Sequence, residues 1–254
     1  MAVCIVPVCP VRKEASHRSE MTSQLLFGEL AEVLGTDGDF TRIRCLHDGY
    51  EGWCQSSQLV SIGEPDTAWF NRLTIDWLTR IALNGRPMQL PLGCSLGMLH
   101  DGQAQIGPYH IAYAGDLPDS SRNSFEADKM TGLAMQYLNT PYLWGGRSVF
   151  GIDCSGFVQQ LYRFFNIALP RDAYQQVEKG AVVGFLAEAQ PCDLAYFDNP
   201  EGRITHVGLL LGPDTIIHSS GKVRIDKIDT QGIVNSDTGE RTHQLRIIKR
   251  LISA

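Results

Sequence analysis

Gly151-Ile152-Asp153-Cys154-Ser155-Gly156-Phe157-Val158 is the stretch from which the rest of the chain is read. It follows a glycine-rich run, Leu143-Trp144-Gly145-Gly146-Arg147, and opens an amphipathic one. Apolar residues at Phe157, Val158, Leu161, Tyr162, Phe164 and Phe165 fall at helical spacing. Asp153 suits the N-cap, which places Cys154 in the first turn. A thiol there meets the positive end of the helix dipole, which favours the thiolate, the nucleophilic form. Free cysteine is also among the most often buried residue types, so a small core residue satisfies the local pattern equally well.

A nucleophilic cysteine needs a histidine to take its proton and return it to the leaving amine, and a third group to orient that histidine. Of the seven histidines, His17, His47, His100 and His110 lie far upstream. His243 follows the polar segment Thr238-Gly239-Glu240-Arg241-Thr242 and reads as surface. His206 opens an apolar run (Val207-Gly208-Leu209-Leu210-Leu211), and His218 closes another (Thr215-Ile216-Ile217). The two runs flank the turn Gly212-Pro213-Asp214 nearly symmetrically, so one antiparallel hairpin brings the two imidazoles together. A pair of structural histidines is the alternative reading.

Elsewhere the residues bound the possibilities. The chain of 254 residues is long enough for more than one domain, and its 43% apolar and 20% charged composition is that of an ordinary globular protein. The formal charge of -6, with no basic run, argues against a nucleic-acid partner. The seven cysteines show no metal-type spacing and suit a reducing compartment, so no metal or other cofactor is expected. The start, Met1-Ala2-Val3-Cys4-Ile5-Val6-Pro7-Val8, does not look like a secretory signal, and no apolar run reaches membrane-spanning length. A cytoplasmic location without a membrane partner is the expectation.

Four regions follow in order. Residues 1–62 carry short β-rich runs (Val3–Val8, Glu29–Leu34, Phe40–Cys45, Gly52–Cys54) between turn signals and predict a small barrel. In residues 63–115, Trp69–Asn84 has helical spacing and is taken as a helix, followed from 86 by a second, shorter barrel-like unit. Residues 116–124 form a polar linker. Residues 125–254 start with helices, at Phe125–Asn139, from Cys154 and from Asp172. Five strands follow (Asp193–Phe197, Thr205–Leu211, Thr215–Ser219, Lys222–Asp226, Leu245–Leu251), the pattern of an α+β domain.

The segment Ser23–Leu34 with Tyr50-Glu51-Gly52-Trp53 resembles a bacterial SH3-like domain. Residues 125–254 resemble the NlpC/P60 family of papain-like cysteine peptidases through Pro141–Gly146, Asp153–Val158, Leu169-Pro170-Arg171-Asp172, Asp193–Phe197, His206-Val207-Gly208 and Ile217-His218. The resemblance implies that Cys154 attacks an amide of a peptidoglycan peptide, with His206 as base and His218 orienting it. It further implies that Tyr142 lies beside the nucleophile and can bond the oxyanion region, with Asp153 and Ser155 flanking the cysteine and contacting substrate. One departure is Pro191-Cys192 ahead of Asp193, where the family commonly has glycine; it is expected to loosen a turn remote from the chemistry.

An SH3-like module joined to this peptidase resembles the subgroup of γ-D-glutamyl-L-diamino-acid endopeptidases that recycle wall peptides. The implied partner is a muropeptide with a free N-terminal L-Ala, cut between γ-D-Glu and meso-diaminopimelate or Lys. A free ammonium at the closed end of a cleft calls for carboxylates. The resemblance points to Asp172 for that task, joined by Glu20 and Tyr50 from the SH3-like domain, with a helix cap, a surface charge and a barrel aromatic as their respective alternatives. Competing functions are an exported endopeptidase acting on intact wall, a non-catalytic wall-peptide-binding protein, and a Cys-His acyltransferase or amidase on a related fold.

Overall fold

The computed structural model describes residues 1–65, 69, 72–117 and 124–252. The chain forms two compact units, one of Met1–Asn123, Trp144–Phe150 and Phe164–Ala168, the other of Ser124–Leu143, Gly151–Arg163 and Leu169–Ala254.

In the first unit, β1 (Ala2–Cys4), β2 (Val8–Arg12), β3 (Met21–Leu26), β4 (Leu30–Asp37), β5 (Phe40–Cys45), β6 (Glu51–Gln55) and β7 (Leu59–Ser61) make an antiparallel sheet. Its order is β3-β2-β6-β5-β4-β1-β7. The single strand expected over Val3–Val8 is two, β1 and β2, separated at Pro7, which has no N–H to give a ladder. Alternation is clean on β5, where Ile43 and Cys45 enter the core while Arg42 and Arg44 face solvent. Cys4, Cys9, Val11, Leu25 and Cys54 complete that core.

The helix expected over Trp69–Asn84 is not found in the described part of that stretch. Leu78–Leu83 is strand β8, followed by β9 (Arg86–Pro91), β10 (Gln103–Ile106) and β11 (Tyr109–Ala112) in a four-stranded sheet of order β10-β11-β8-β9. Residues 70 and 71 of the expected helix, and 118–123 of the expected linker, lie outside the described residues. The physical reason for the strand is Asn84-Gly85, both at positive φ (50° and 73°), with Leu83 paired to Arg86 across them. A two-residue Asn-Gly loop is a strong hairpin signal and overrides the apolar spacing. The two sheets share a core of Phe27, Leu30, Ile81, Leu90, Leu96 and Met98. Gly28, at φ +76°, passes so near Ser95 that a Cβ would lie 2.1 Å from its carbonyl oxygen.

The same unit holds β12 (Arg147–Ser148). Arg147 is fully buried and donates to Glu29 Oε2 (2.8 Å), Glu29 Oε1 (3.1 Å) and the Gln24 carbonyl (2.6 Å). A bidentate guanidinium–carboxylate pair of this kind is held by geometry as well as charge.

The second unit contains α1 (Ala127–Gln136), β13 (Gly151–Ile152), α2 (Cys154–Arg163), α3 (Ala173–Gln176), and strands β14 (Ala181–Val183), β15 (Leu194–Asp198), β16 (Ile204–Gly212), β17 (Thr215–Ser220), β18 (Lys222–Asp229), β19 (Gly232–Val234) and β20 (Arg241–Arg250). The order β14-β20-β15-β16-β17-β18-β19 is closed by a β19–β20 pairing, so β15 to β20 form a six-stranded barrel. Ala195, Phe197, Leu210, Ile216, Ile228, Ile233 and Ile248 fill it. Helix α2 packs on β16 and β17, with every residue from Cys154 to Tyr162 buried.

Cys192 has φ +74°, in the left-handed region, where a non-glycine residue costs about 1–2 kcal/mol. That accounts for a preference for glycine here. The expected loosening does not occur, because the turn is tied on both sides. Cys192 N–H donates to the Leu210 carbonyl (2.8 Å), and Tyr162 Oη–H donates to the Cys192 carbonyl (2.5 Å).

Candidate active site

Helix α2 starts where the sequence places it. Asp153 Oδ1 accepts the Gly156 N–H at 2.7 Å, so Asp153 is the side-chain cap and Cys154 the first helical residue. Arg171, 1% exposed, donates to Asp153 Oδ1 (3.0 Å), Asp153 Oδ2 (2.5 Å) and Ser155 Oγ (2.9 Å). The Asp153 and Ser155 side chains are thus both engaged inside the protein by Arg171, a residue not assigned a role from sequence.

Cys154 is 7% exposed. Its Sγ accepts the backbone N–H of Val207, the residue after His206. Burial and the charge of Asp153 push the thiol up to about 12, against the opposing pull of that N–H and of Arg171. The thiolate expected from the helix start is therefore not the resting state. The proton has to be removed by a base.

His206 Nε2 and His218 Nδ1 are 2.8 Å apart, and both rings are buried. Their register differs from the symmetric hairpin. Gly208, not His206, lies opposite His218, because the loop is Pro213-Asp214 between paired Gly212 and Thr215, so the hairpin is centred beyond Gly212; a bulge between Leu210 and Gly212 takes back one residue of the offset. His206 sits two residues along on the same face, diagonal to His218. Gly208 makes this possible, since a Cβ there would meet Ile216 Cδ1 at 2.7 Å and His218 Cβ at 2.8 Å. Gly208→Ala is expected to cost about 1–3 kcal/mol by overpacking and to lower kcat as His218 is displaced. Urea denaturation and steady-state kinetics on one preparation check this, and a variant with unchanged stability and kcat would refute it.

Two further groups complete the cluster. Asp226 Oδ2 lies 3.0 Å from His218 Nε2 and accepts Arg224 Nε–H at 2.8 Å, while its Oδ1 accepts Ser236 N–H at 2.8 Å and Arg224 Nη2–H at 3.0 Å. Burial alone would raise this carboxyl, but the bonds from His218, Ser236 and Arg224 hold it well below the usual carboxylate range. His243, expected at the surface, is half-buried instead and stacks on His206 with ring centroids 4.1 Å apart. Burial and His218 push His243 down to about 4, against the pull of Asp226. Burial, then His218 and His243, hold His206 well below its ordinary value. The His206 imidazole is thus held in its neutral form, which is able to accept a proton.

The cluster of a buried thiol at a helix start beside a hydrogen-bonded histidine pair agrees with the comparisons with known proteins. Residues 139–242 match the NlpC/P60 family, and residues 11–59 match the bacterial dipeptidyl-peptidase SH3 domain. The chain carries an NlpC/P60 domain behind a bacterial SH3 domain. Two curated Bacillus relatives bear the name gamma-D-glutamyl-L-lysine dipeptidyl-peptidase. The Bacillus cereus protein is 25% identical over 90% of this chain and 77% of its own length. The Bacillus subtilis protein is 28% identical over 78% of this chain and 71% of its own. In fold, the chain is similar to a crystal structure of an NlpC/P60 family protein from Bacillus cereus, with a TM-score of 0.82 at 18% identity and 99% of each chain covered.

Within the NlpC/P60 domain, Tyr142 is 36% exposed. Burial, then the charges of Cys154 and Asp153, push its phenol up to about 12, so it keeps its proton and can donate a hydrogen bond near the thiol. Asp172 occupies the N-cap position of α3, and its carbonyl accepts the N–H groups of Gln175 and Gln176. Its carboxylate makes no capping bond. Glu20 and Tyr50 belong to the other compact unit. Glu20 is exposed and accepts the Trp144 indole N–H at 2.8 Å. Tyr50 packs, partly buried, against the barrel core. Among the described residues no group of three or more His, Cys, Asp or Glu could hold a metal ion.

Proposed function

We propose that this protein is a cysteine endopeptidase that hydrolyses the bond between γ-D-glutamate and a diamino acid, lysine or meso-diaminopimelate, in peptidoglycan-derived peptides with a free N-terminal L-Ala. The observation that carries the chemistry is the Cys154 thiol at the start of α2, bonded to the Val207 N–H of β16 next to His206, which is itself paired with His218 of β17. In the cycle, His206 takes the thiol proton as Sγ attacks the γ-carbonyl, and the C–S bond forms. The negative oxygen meets the Cys154 N–H, one of the first-turn donors that a helix leaves without an intrahelical acceptor, and the Tyr142 hydroxyl. His206 then gives its proton to the departing amine as the C–N bond breaks. Water, deprotonated by the same imidazole, releases the acyl group.

Substrate choice rests on the names of the two Bacillus relatives and on Asp172. This carboxylate, at the N-cap position of α3, is assigned to the substrate ammonium. Wall-peptide recycling in the cytoplasm completes the reading, since a reducing compartment keeps the nucleophilic thiol from oxidation.

The test compares L-Ala-γ-D-Glu-meso-diaminopimelate, L-Ala-γ-D-Glu-L-Lys and their N-acetylated forms, with products followed by mass spectrometry. Cleavage of the free-amine peptides alone, at the γ-D-Glu bond, is the expected result. Equal cleavage of acetylated peptides would overturn amine selection and favour an enzyme of intact wall. Binding without cleavage would leave a peptide-binding protein.

A further inference from the structure

We propose that Asp226 is a positioning residue that selects the working tautomer of His206 through His218. This rests on the reading of Cys154 as nucleophile and His206 as its base. It goes beyond that reading in assigning a role to a third strand of the barrel.

An ionised carboxylate only accepts hydrogen bonds, and a neutral imidazole has one N–H and one bare nitrogen. Asp226 Oδ2, 3.0 Å from His218 Nε2, therefore places the His218 proton on Nε2. His218 Nδ1 is then bare. Across the 2.8 Å contact it can only accept, so His206 must carry its proton on Nε2. That leaves His206 Nδ1 as a lone pair, on the nitrogen not occupied by His218, to receive the Cys154 proton. When His206 becomes an imidazolium, its Nε2–H still finds an acceptor in His218, and the positive charge faces Asp226 through one intervening ring. Each link is set by the one behind it. Asp226 itself is locked, because Arg224 bonds both of its oxygens and Ser236 N–H bonds Oδ1.

The groups that face this chain are few. His206 is met by His218 from β17 and by the stacked His243 from β20, with the Cys154 thiol from α2 near its own strand. Arg224, whose second carboxylate partner is the exposed Asp237 at 3.0 Å, stands behind Asp226.

Asp226→Asn is the informative substitution. The amide oxygen should take the Oδ1 place, where two fixed donors, Ser236 N–H and Arg224 Nη2–H, await it, against one, Arg224 Nε–H, at the Oδ2 place, since His218 can shift its proton. The NH₂ group then meets His218 Nε2 as a donor. His218 has to move its proton to Nδ1, His206 has to move its own to the nitrogen meant for the thiol, and the base is blocked. An Asp→Asn change behind the histidine of a serine-protease triad lowers kcat by about 10⁴ through the wrong tautomer. With one more ring in between, a fall of about 10²–10³ in kcat is expected here, with KM within about twofold.

Two readouts are independent of the substrate. Imidazole ¹⁵N NMR on ¹⁵N-histidine protein should show His206 and His218 both protonated on Nε2 in the wild type, and on Nδ1 in Asp226→Asn. The pH midpoint for alkylation of Cys154 by iodoacetamide, read from the Cys154 peptide by mass spectrometry, should move upward in the variant. Unchanged tautomers and an unchanged alkylation profile in a folded Asp226→Asn protein would overturn the assignment. If the variant does not fold, wild-type His218 protonated on Nδ1 would do the same. Failure of peptide cleavage with these two signatures intact would count against the proposed substrate, not against Asp226.

Discussion

Cys154→Ala is expected to reduce hydrolysis of L-Ala-γ-D-Glu-L-Lys by about 10⁶-fold, the scale on which removing a nucleophile from a catalytic triad costs kcat. In the proposed cycle Cys154 forms the acyl-enzyme, and His206 acts by taking its proton. Stability should hardly change. The side chain is buried but small, its main partners are the Val207 and Ser155 N–H groups, and loss of one sulfur leaves a void worth about 1 kcal/mol at most. The measurement is a product time course by mass spectrometry beside a urea unfolding curve. A variant that keeps more than a hundredth of wild-type kcat would show that Cys154 is not the nucleophile. The other six cysteines are also buried thiols, so residual activity could not simply be passed to one of them.

Arg171→Ala should be the most damaging single change to the stability of the NlpC/P60 domain. Arg171 and Asp153 are 1% and 5% exposed, and their pair is bidentate. Removing the guanidinium leaves a carboxylate in the interior with the Gly156 N–H and the Ser155 hydroxyl as its named donors. Breaking such a pair by deleting one partner typically costs about 3–5 kcal/mol. Activity should fall as well, because Arg171 is one of the groups that offset the charge of Asp153 at Cys154. Arg171→Lys should recover only part of the loss, since an ammonium cannot reproduce the two-pronged fit. Arg171→Ala combined with Asp153→Asn should be more stable than Arg171→Ala alone, because the stranded charge is gone. Urea midpoints for the set decide the matter. Equal stability of Arg171→Ala and wild type would mean that the pair contributes nothing net.

Much of this architecture could be read from the sequence, and the failures have identifiable causes. The hairpin that joins His206 to His218 follows from two apolar runs around Gly212-Pro213-Asp214, and the rings do bond. Its register differs by two residues because the chain turns at Pro213-Asp214, between paired Gly212 and Thr215, and the three-residue turn signal does not say which of its residues form the loop. Asp226 escaped notice because its role depends on a third strand, although Arg224 and Asp226 share a face by simple alternation. His243 looked exposed among polar neighbours. It lies two residues back from the inward Leu245 of β20. Trp69–Asn84 misled through apolar spacing, while Asn84-Gly85 carried the truer signal of a hairpin. Arg171 lies eighteen positions from its partner Asp153, and no periodicity reports an ion pair at that separation.

The fully buried Arg147 bears on how such proteins can be recombined. By sequence it belongs to the span that matches the NlpC/P60 family, yet its guanidinium is neutralised by Glu29 and held by Gln24. The chain passes between its two compact units repeatedly, and Trp144–Phe150 is counted with the N-terminal residues. Family boundaries and folding boundaries therefore do not coincide. A peptidase segment cut out at residue 125 would take a cation whose counter-charge stayed behind, and an SH3 domain grafted from elsewhere would have to bring its own acid to the same place.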